Sequence, residues 1–305
     1  MDIELEMKPG LESLIHPTTW ADFFTKYENN EHFVIHHPED ALSSLRSLDF
    51  LASLENLLQI WPHSIQAHLP DLRDESSSID TNPKDARKLF KNGMGLLFNE
   101  AHRLSPLLQL WLTQIRSDLG LSSQTYSRCL IYATPDGQGT APHFDQNINF
   151  VLQIQGTKIW KLAANEHLEN PLTRYALGAV PDPEMKGYLK KDFPLTMPSS
   201  AQTIELKPGS LLFVPRGCWH STEAQGEALA LNFTFTAPTW IDLLTTALRS
   251  RLALSPHWRE TANGVCDSNR RGFAEAYLET LLAELKEDLP NWEASDILNT
   301  TEVEL

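Results

Sequence analysis

Hydrophobic and polar positions alternate through the second half of the chain in short runs that turn residues separate. A period of two is typical of β-strands that bury one face. The runs lie at 150–155, 158–162, 203–206, 211–214 and 228–235. We interpret Gly156-Thr157 and Lys207-Pro-Gly-Ser210 as turns between runs. Polar residues such as Asn232 interrupt otherwise apolar runs, a pattern that indicates a small antiparallel barrel with a site in its mouth.

The flanking regions show helical spacing. A helix over 20–24 is predicted to precede a strand over 32–36, and Ser105 and Pro106 should cap and start a helix that ends near Gly120. Residues 71–84 are polar and are predicted to form a loop. After residue 240 there are two apolar stripes. They are Ile241, Leu244, Leu248 and Leu252, and then Phe273, Tyr277, Leu281, Leu282 and Leu285.

We therefore expect a mainly β protein with helical extensions, organised in three regions. Residues 1–125 form helices and strands that flank the barrel, residues 126–238 form the barrel core, and residues 239–305 form a C-terminal helical region. With 305 residues and 41% hydrophobic content, the chain can bury a full core.

The segments Thr140-Ala-Pro-His143-Phe-Asp145 and Val214-Pro-Arg-Gly-Cys-Trp-His220 contain a candidate metal site. A strand presents residues two apart on the same face, so His143 and Asp145 can bind one ion, with His220 supplied by a neighbouring strand. Two histidines and a carboxylate are the facial triad of non-haem Fe(II), which leaves three coordination positions open. Asn149, six residues after His143, should share this face. Lys158 could anchor the remote carboxylate of a dicarboxylate cosubstrate. A surface strand with one titratable ring and an exposed lysine is the alternative.

Together these segments resemble the JmjC-type Fe(II)/2-oxoglutarate oxygenases, and above all the bacterial cupin-like group that includes ribosomal protein hydroxylases and asparaginyl-hydroxylase-like proteins. The resemblance covers roughly residues 30–240 and is carried by segments 86–99, 104–111, 133–146, 150–160 and 208–220. It implies a double-stranded β-helix (jelly-roll, cupin) core. It also implies an enzyme that uses Fe(II), 2-oxoglutarate and O2, forms succinate and CO2, and hydroxylates an unactivated C–H bond.

The same resemblance implies roles for individual residues. His143, Asp145 and His220 would bind Fe(II), and Lys158 would pair with the distal carboxylate of 2-oxoglutarate. Further contacts near the metal or the cosubstrate would come from Thr140, Asn149, Asn232, Tyr132 and Thr134. Arg216 is the next candidate for the carboxylate anchor.

The expected substrate is a side chain of a protein or peptide. The alternatives are a hydroxylase of a small molecule such as a free amino acid or natural product, an N-methyl demethylase, and a non-catalytic cupin-like binding module. The complete metal triad together with Lys158 argues against the last of these. Ribosomal members often continue into a winged-helix domain, for which the C-terminal segment is too short, and this weighs against a ribosomal substrate.

Two further segments vary among such folds. Residues 163–202 contain five prolines and two glycines, and we interpret them as a cap over the mouth of the site; a surface excursion without a role is the alternative. The C-terminal helices should form a homodimer, or else pack on their own barrel. The family resemblance favours the dimer.

Net charge and cysteine content indicate which partners and which cell compartment to expect. The formal net charge of −15 argues against duplex nucleic acid and would attract a basic protein segment, although it also suits an ordinary acidic protein. No apolar run is long enough to span a bilayer, and the acidic N-terminal residues lack the pattern of a signal peptide. Cys129, Cys218 and Cys266 are an odd number without metal spacing. We expect a cytoplasmic protein without a membrane partner.

Overall fold

The computed structural model of the protein describes residues 8–38, 41–69 and 77–299. The strands are β1 (Phe33–His36), β2 (Ile65–His68), β3 (Ser78–Thr81), β4 (Gly95–Phe98), β5 (Tyr126–Thr134), β6 (Gly139–Phe144), β7 (Ile148–Ala163), β8 (Tyr175–Ala176), β9 (Gln202–Leu206), β10 (Ser210–Val214) and β11 (Trp219–Thr236). The α-helices are α1 (Leu11–Ile15), α2 (Trp20–Glu28), α3 (Ser43–Arg46), α4 (Leu54–Ile60), α5 (Pro83–Lys91), α6 (Pro106–Asp118), α7 (Pro183–Gly187), α8 (Trp240–Leu252), α9 (Arg271–Asp288) and α10 (Ala294–Asn299).

The two long strands β7 and β11 pair with each other along most of their lengths and organise the antiparallel sheet. Around residues 148–155 of β7 and 228–236 of β11 the strand order is β1-β10-β7-β11-β5-β4-β2-β3. The other half of β7 pairs with β9, and the first half of β11 pairs with β6, which in turn pairs with β8. Each long strand therefore pairs with both groups of strands, so that the sheet folds back on itself. The predicted double-stranded β-helix with flanking helices is confirmed.

The predicted turn at Gly156-Thr157 was wrong, because β7 continues through these residues without reversing. Gly156 has a φ of +68°, and the register against β11 shifts at this residue, because Thr157 lies opposite Gln225 whereas Gln155 lies opposite Leu229. A Cβ at Gly156 would overlap the carbonyl oxygen of Glu227, so only glycine fits. This is a bulge in a bent strand. Lys158 therefore lies further along the same strand and does not open a return strand.

The helices on the N-terminal side of the barrel follow the predicted pattern. The Ser105 side chain caps α6, and the apolar stripe of this helix is buried: Leu108, Trp111, Leu112 and Ile115. Trp111 stacks on Phe233 of β11, with ring centroids 6.5 Å apart. The predicted helix over 20–24 and the strand that follows it are α2 and β1. The buried faces of these helices thus pack against the outer surface of the barrel.

The predicted polar loop over 71–84 is only partly tested, since residues 71–76 lie outside the described residues. The prediction was wrong for the remainder: Ser78–Thr81 is strand β3, and α5 begins at Pro83. β3 is the last strand of the sheet and pairs only with β2 among the described strands. An edge strand needs no apolar face, so its polar residues resemble those of a loop.

The chain divides into two compact units. The first contains residues up to Gly120 and Tyr126–Thr236, and the second contains Leu121–Thr125 and the residues from Ala237 onward. In the second unit, both predicted C-terminal helices are present as α8 and α9. Arg251 of α8 donates two hydrogen bonds to Asp288 of α9, at 2.7 and 2.6 Å, and thereby lowers the Asp288 pKa to about 2. Among the helices the structure describes, none has the length and apolar character that crossing a membrane requires.

Candidate metal and cosubstrate site

The candidate metal ligands come together at one end of the barrel interior. His143 of β6 and His220 of β11 are direct cross-strand partners, with ring centroids 4.0 Å apart. Asp145 follows the end of β6, and its carbonyl accepts a hydrogen bond from the Gly217 amide at 2.8 Å. One potential ligand atom of each of the three residues lies within 4.8 Å of the others. Asp145 was predicted to lie within a regular strand, but β6 ends at Phe144 and Asp145 is the first residue beyond it.

The donor set fits a divalent metal such as Fe(II). Nδ1 of His143 donates to the Ala141 carbonyl at 2.7 Å, and Nδ1 of His220 donates to the Cys218 carbonyl at 2.9 Å. These bonds place a proton on Nδ1 of each ring, so Nε2 is the nitrogen that a metal would take. Oδ2 of Asp145 lies 3.7 Å from Nε2 of His220. Two imidazole nitrogens and one carboxylate thus converge as the facial triad requires.

The triad opens into a cavity of about 280 Å³ inside the barrel. Cross-strand register determines the residues of its wall: Arg128 of β5 pairs with Thr234 of β11, which pairs with Asn149 of β7. Two residues along the strands, Leu130 pairs with Asn232, which pairs with Val151. All six residues line the cavity. Two-residue periodicity therefore turns one face of three adjacent strands towards the metal ligands.

Lys158 is a buried lysine in the cavity wall, with 5% of its surface exposed. Its Nζ lies 5.9 Å from the centroid of the Tyr132 ring, which lines the same cavity from β5. This burial contradicts the alternative of an exposed strand lysine. The placement fits an anchor for an anion that enters the barrel.

Thr140 lies between the triad and Lys158 in the sheet register. Its Oγ1 lies 3.0 Å from Oγ1 of Thr222, and its backbone amide donates to the same Thr222 oxygen at 3.1 Å. An added Cβ at Gly139 would overlap the Thr222 carbonyl oxygen, so glycine permits this close approach of β6 and β11. Thr222, which the sequence analysis did not select, thus joins Thr140 in the wall.

Asn149 and Asn232 form a buried polar group in the cavity wall. Oδ1 of Asn149 accepts hydrogen bonds from Asn232 Nδ2 at 3.1 Å and from Thr234 Oγ1 at 2.7 Å. The sequence analysis expected Asn149 to face the metal because it lies an even number of residues after His143. That reason was wrong, since 145–147 interrupt the strand; Asn149 faces the cavity through its own register in β7.

Two selected residues lie outside the cavity lining. Thr134 is buried, two residues beyond Tyr132 on β5, and does not line the cavity. Arg216, the alternative anchor, points its guanidinium at the 163–202 segment and donates to the Pro171 carbonyl through Nε at 2.9 Å and Nη2 at 2.6 Å. Cys218, two residues before His220, is packed in the hydrophobic core.

The 163–202 segment packs against the residues that flank the triad. Its strand β8 pairs with β6, so that Ala176 lies opposite His143. Leu168, Tyr175 and Met185 form a core cluster with Phe144 and Trp219, the neighbours of the metal ligands in sequence. Nε of Arg174 lies 3.4 Å from Oδ1 of Asp145, and Arg174 lines the cavity. The segment is built into the site and is not a detached excursion.

The sequence analysis missed a further group of lining residues. They are polar. Gln146 and Asn147 directly follow Asp145, and the others lie far from the motif in sequence: Gln66 on β2, Asn99 after β4, Arg128 on β5 and Arg174 in the segment before β8. No local pattern marks them. Only the period of two along β5, which places Arg128 four residues before Tyr132 on the same face, offers a signal in the sequence.

Comparison with known proteins agrees with this geometry. The sequence model of the JmjC domain matches residues 109–243. The uncharacterized protein YxbC of Bacillus subtilis is 32% identical over 286 residues, covering 91% of this chain and 87% of YxbC. The bifunctional lysine-specific demethylase and histidyl-hydroxylase NO66 of Dictyostelium discoideum is 26% identical, over 92% of this chain and 52% of NO66. The chain thus spans about half the length of NO66.

A solved structure shares the fold. The X-ray structure of Escherichia coli ycfD superposes with a TM-score of 0.53 and 17% sequence identity, covering 88% of this chain and 67% of that chain. Ribosomal oxygenase 1 of Rattus norvegicus is 27% identical in sequence, over 78% of this chain and 38% of its own length.

Proposed function

Because the chain belongs to the JmjC-domain family of Fe(II)- and 2-oxoglutarate-dependent oxygenases, we propose that it hydroxylates a side chain of a protein or peptide. The protein is a 2-oxoglutarate-dependent dioxygenase whose cofactors are Fe(II), 2-oxoglutarate and O2. Bound together, they supply oxidising chemistry: 2-oxoglutarate and O2 become succinate and CO2, and one oxygen atom is inserted into a substrate C–H bond. The observation that carries the proposal is the convergence of His143, Asp145 and His220 on a cavity that also contains buried Lys158.

The residues of the chain have distinct roles in this proposal. Nε2 of His143, Nε2 of His220 and a carboxylate oxygen of Asp145 hold the metal, while the Ala141 and Cys218 carbonyls keep both rings in the required tautomer. Lys158 neutralises the distal carboxylate of 2-oxoglutarate. Burial strengthens this pairing, since few waters compete for either charge.

The polar residues of the wall orient the cosubstrate between these two ends. Thr140 and Thr222 offer adjacent hydroxyl groups, and the Tyr132 ring of β5 lies beside the Lys158 ammonium. Asn232 holds Asn149 by a hydrogen bond in the lining. Thr134 has no direct contact in this arrangement, because it lies outside the lining.

Two observations support a protein or peptide substrate. The names of NO66 and ribosomal oxygenase 1 describe enzymes that act on histidyl or lysine residues or on the ribosome. The site also opens to solvent near the metal, where the Asp145 side chain is 20% exposed and that of Arg174 is 30% exposed. The net charge of −15 favours a basic surface on the partner, because opposite fields steer association.

The test measures succinate formation by the purified protein with Fe(II), 2-oxoglutarate and O2, followed by mass spectrometry of proteins from cells with and without it. The proposal expects a protein fragment that gains one oxygen only in the presence of the enzyme. Release of formaldehyde with loss of a methyl group would identify a demethylase. Oxygen gain confined to small molecules would identify a small-molecule hydroxylase. A protein that binds 2-oxoglutarate without turnover is a binding module.

We also propose that the C-terminal unit forms a homodimer. Its apolar residues are exposed in the single chain: Trp240 is 78% exposed, Ile241 58%, Phe273 79%, Leu278 49% and Leu282 50%. A two-fold interface would bury the same patch on both subunits.

Three unpaired cysteines, two of them buried, support a place in the reducing cytoplasm.

A further inference from the structure

The basic residues of the cavity outnumber its acidic ones. Lys158, Arg128 and Arg174 line it, while Asp145 is the only carboxylate that the described residues contribute to the lining. Divalent iron and doubly charged 2-oxoglutarate cancel each other in formal charge, so their binding leaves the excess of positive charge in place. A cationic substrate group would add to this excess in a poorly solvated space, where like charges repel strongly.

Arg128 lies away from the residue that serves the cosubstrate. Lys158 approaches Tyr132, and Arg128 lies four residues before Tyr132 on β5, or about 13 Å along the strand at the rise of an extended chain. Arg128 instead shares a cross-strand row with Thr234, Asn149 and Val214. A five-carbon diacid that spans from the metal to Lys158 therefore leaves Arg128 for another ligand.

The hydrogen-bonding capacity around Arg128 is incompletely used. Its Nε is buried and has no hydrogen-bond partner among the described residues, while its guanidinium lies over the Tyr126 ring at 4.8 Å. Asn99 and Gln66 line the cavity as a pair, joined by a hydrogen bond of 3.1 Å. Contact with an aromatic ring satisfies none of the N–H donors of a guanidinium, and carboxylates match its planar fork of donors best.

We propose that the substrate group entering this cavity bears a carboxylate, which Arg128 binds while the carbon to be oxidised lies beside the metal ligands. This inference rests on the proposed hydroxylase function and names its substrate class. The carboxylate belongs either to an acidic side chain of a peptide or to a free carboxylic acid. The acidic surface selects basic flanking sequence, and the basic cavity selects the acidic residue within it.

The experiment compares two sets of probes with the Fe(II)-loaded enzyme. One set consists of capped peptides with identical lysine-containing flanks and a central Asp, Glu, Asn, Gln, His, Lys or Arg. The other consists of free amino acids and simple carboxylic acids. Succinate formed above the level without substrate is measured for each probe, and mass spectrometry records the gain of one oxygen. The two sets distinguish the two sources of the carboxylate.

The expected result is at least a tenfold preference for a carboxylate probe over its neutral amide counterpart. Arg128→Gln should abolish this preference, and Arg128→Lys should restore part of it, because lysine keeps the charge and loses the fork. Arg103→Gln is the matched control, since Arg103 pairs with Glu100 at 3.1 Å and does not line the cavity. Thermal melting of each variant checks its folding.

Three results would overturn the inference. They are a preference for the lysine, arginine or histidine peptide, an unchanged preference in Arg128→Gln, and succinate formation that no carboxylate probe stimulates. Absence of succinate formation under every condition is a different outcome, because it contradicts the proposed function itself.

Discussion

The Lys158 ammonium lies 5.9 Å from the centroid of the Tyr132 ring, and both residues line the same cavity. The ring offers its negative face to a cation that is 5% exposed. Such a contact moderates the cost of burying the charge and directs the ammonium into the cavity. The lysine that we propose as the cosubstrate anchor is therefore positioned before any diacid arrives.

Replacing Lys158 by alanine should weaken 2-oxoglutarate binding. The distal carboxylate would lose its partner in a poorly solvated cavity, a cost of about 2–5 kcal/mol. The KM for 2-oxoglutarate should therefore rise by about 30-fold or more, while the KM for O2 changes little. Steady-state kinetics measures both. Lys161→Ala is the control, because Lys161 lies on the same strand with its side chain exposed. Equal KM values for wild type and Lys158→Ala would assign the anchor elsewhere.

Removing any ligand of the triad should abolish metal binding at this site. His143→Ala, Asp145→Ala and His220→Ala each leave two of three ligands, too few to hold Fe(II) in an open facial site. Addition of Co(II) or Fe(II) should raise the melting temperature of the wild type and leave that of the variants unchanged, since only a metal that binds the native state stabilises it. His63→Ala, an exposed histidine outside the cavity, should respond as the wild type does. Metal-dependent stabilisation that persists in His220→Ala would remove that residue from the triad.

Asn149→Leu should destabilise the barrel, because two buried donors lose their acceptor. Thr234 and Asn232 both donate to Asn149 Oδ1, and unsatisfied buried groups cost about 1–3 kcal/mol each. We expect the free energy of unfolding to fall by about 2 kcal/mol or more, measured by urea titration. Thr203→Leu, at an exposed position of β9, should change it by less than about 0.5 kcal/mol. Similar values for the two variants would mean that water in the cavity replaces the lost acceptor.

Alkylation of the native protein should modify one cysteine. Cys266 is exposed, whereas Cys129 and Cys218 are buried. Burial also raises the pKa of the Cys129 thiol, so that almost none of it is thiolate at neutral pH. Intact-mass spectrometry after iodoacetamide treatment should find one adduct in the native protein and three after denaturation in guanidinium chloride. A second adduct under native conditions would contradict the burial of these strands.

The proposed dimer is best tested at apolar residues of α9 that are exposed in the single chain, and not at every residue of the predicted stripe. Leu281, a member of the stripe, is only 7% exposed and belongs to the interior of the C-terminal unit, so its replacement by glutamate would disturb folding. Leu278 and Leu282 are half exposed on the same helix. Their joint replacement by glutamate should convert a dimer to a monomer, measured by light scattering. Leu195→Glu, at a 95% exposed position of the first unit, should leave the dimer intact. A wild-type monomer at micromolar concentration would contradict the proposal.

The metal ligands could be selected from the sequence because the motif is local. His143 and Asp145 are two residues apart, and the Pro215-Arg-Gly217 break indicates that a new strand begins just before His220. The helices were also predictable, since an apolar stripe and a capping serine are visible within one segment, as in α6. Signals of this kind need no knowledge of which strands become neighbours.

The missing part of the site depends on long-range pairing. Gln66, Arg128 and Arg174 meet in one cavity although more than a hundred residues separate the first from the last. None of them stands in a motif, and each resembles an ordinary polar residue of a strand or loop. Gly156 shows a second reason why the sequence could not predict the strands correctly, because a glycine with positive φ can occur in a bulge as well as in a turn. The choice between them is made by the strand on the other side, which is distant in sequence.

The pairing of β7 with β11 also determines how this protein can open. Backbone amides of the two strands hydrogen-bond to each other on both sides of the Gly156 bulge, and the same strands carry His220, Lys158 and Asn149. Local opening of the site would therefore separate strands that hold the entire sheet together. Hydrogen exchange at these amides should require global unfolding. The free energy that opens the active site should therefore equal the free energy of unfolding of the barrel.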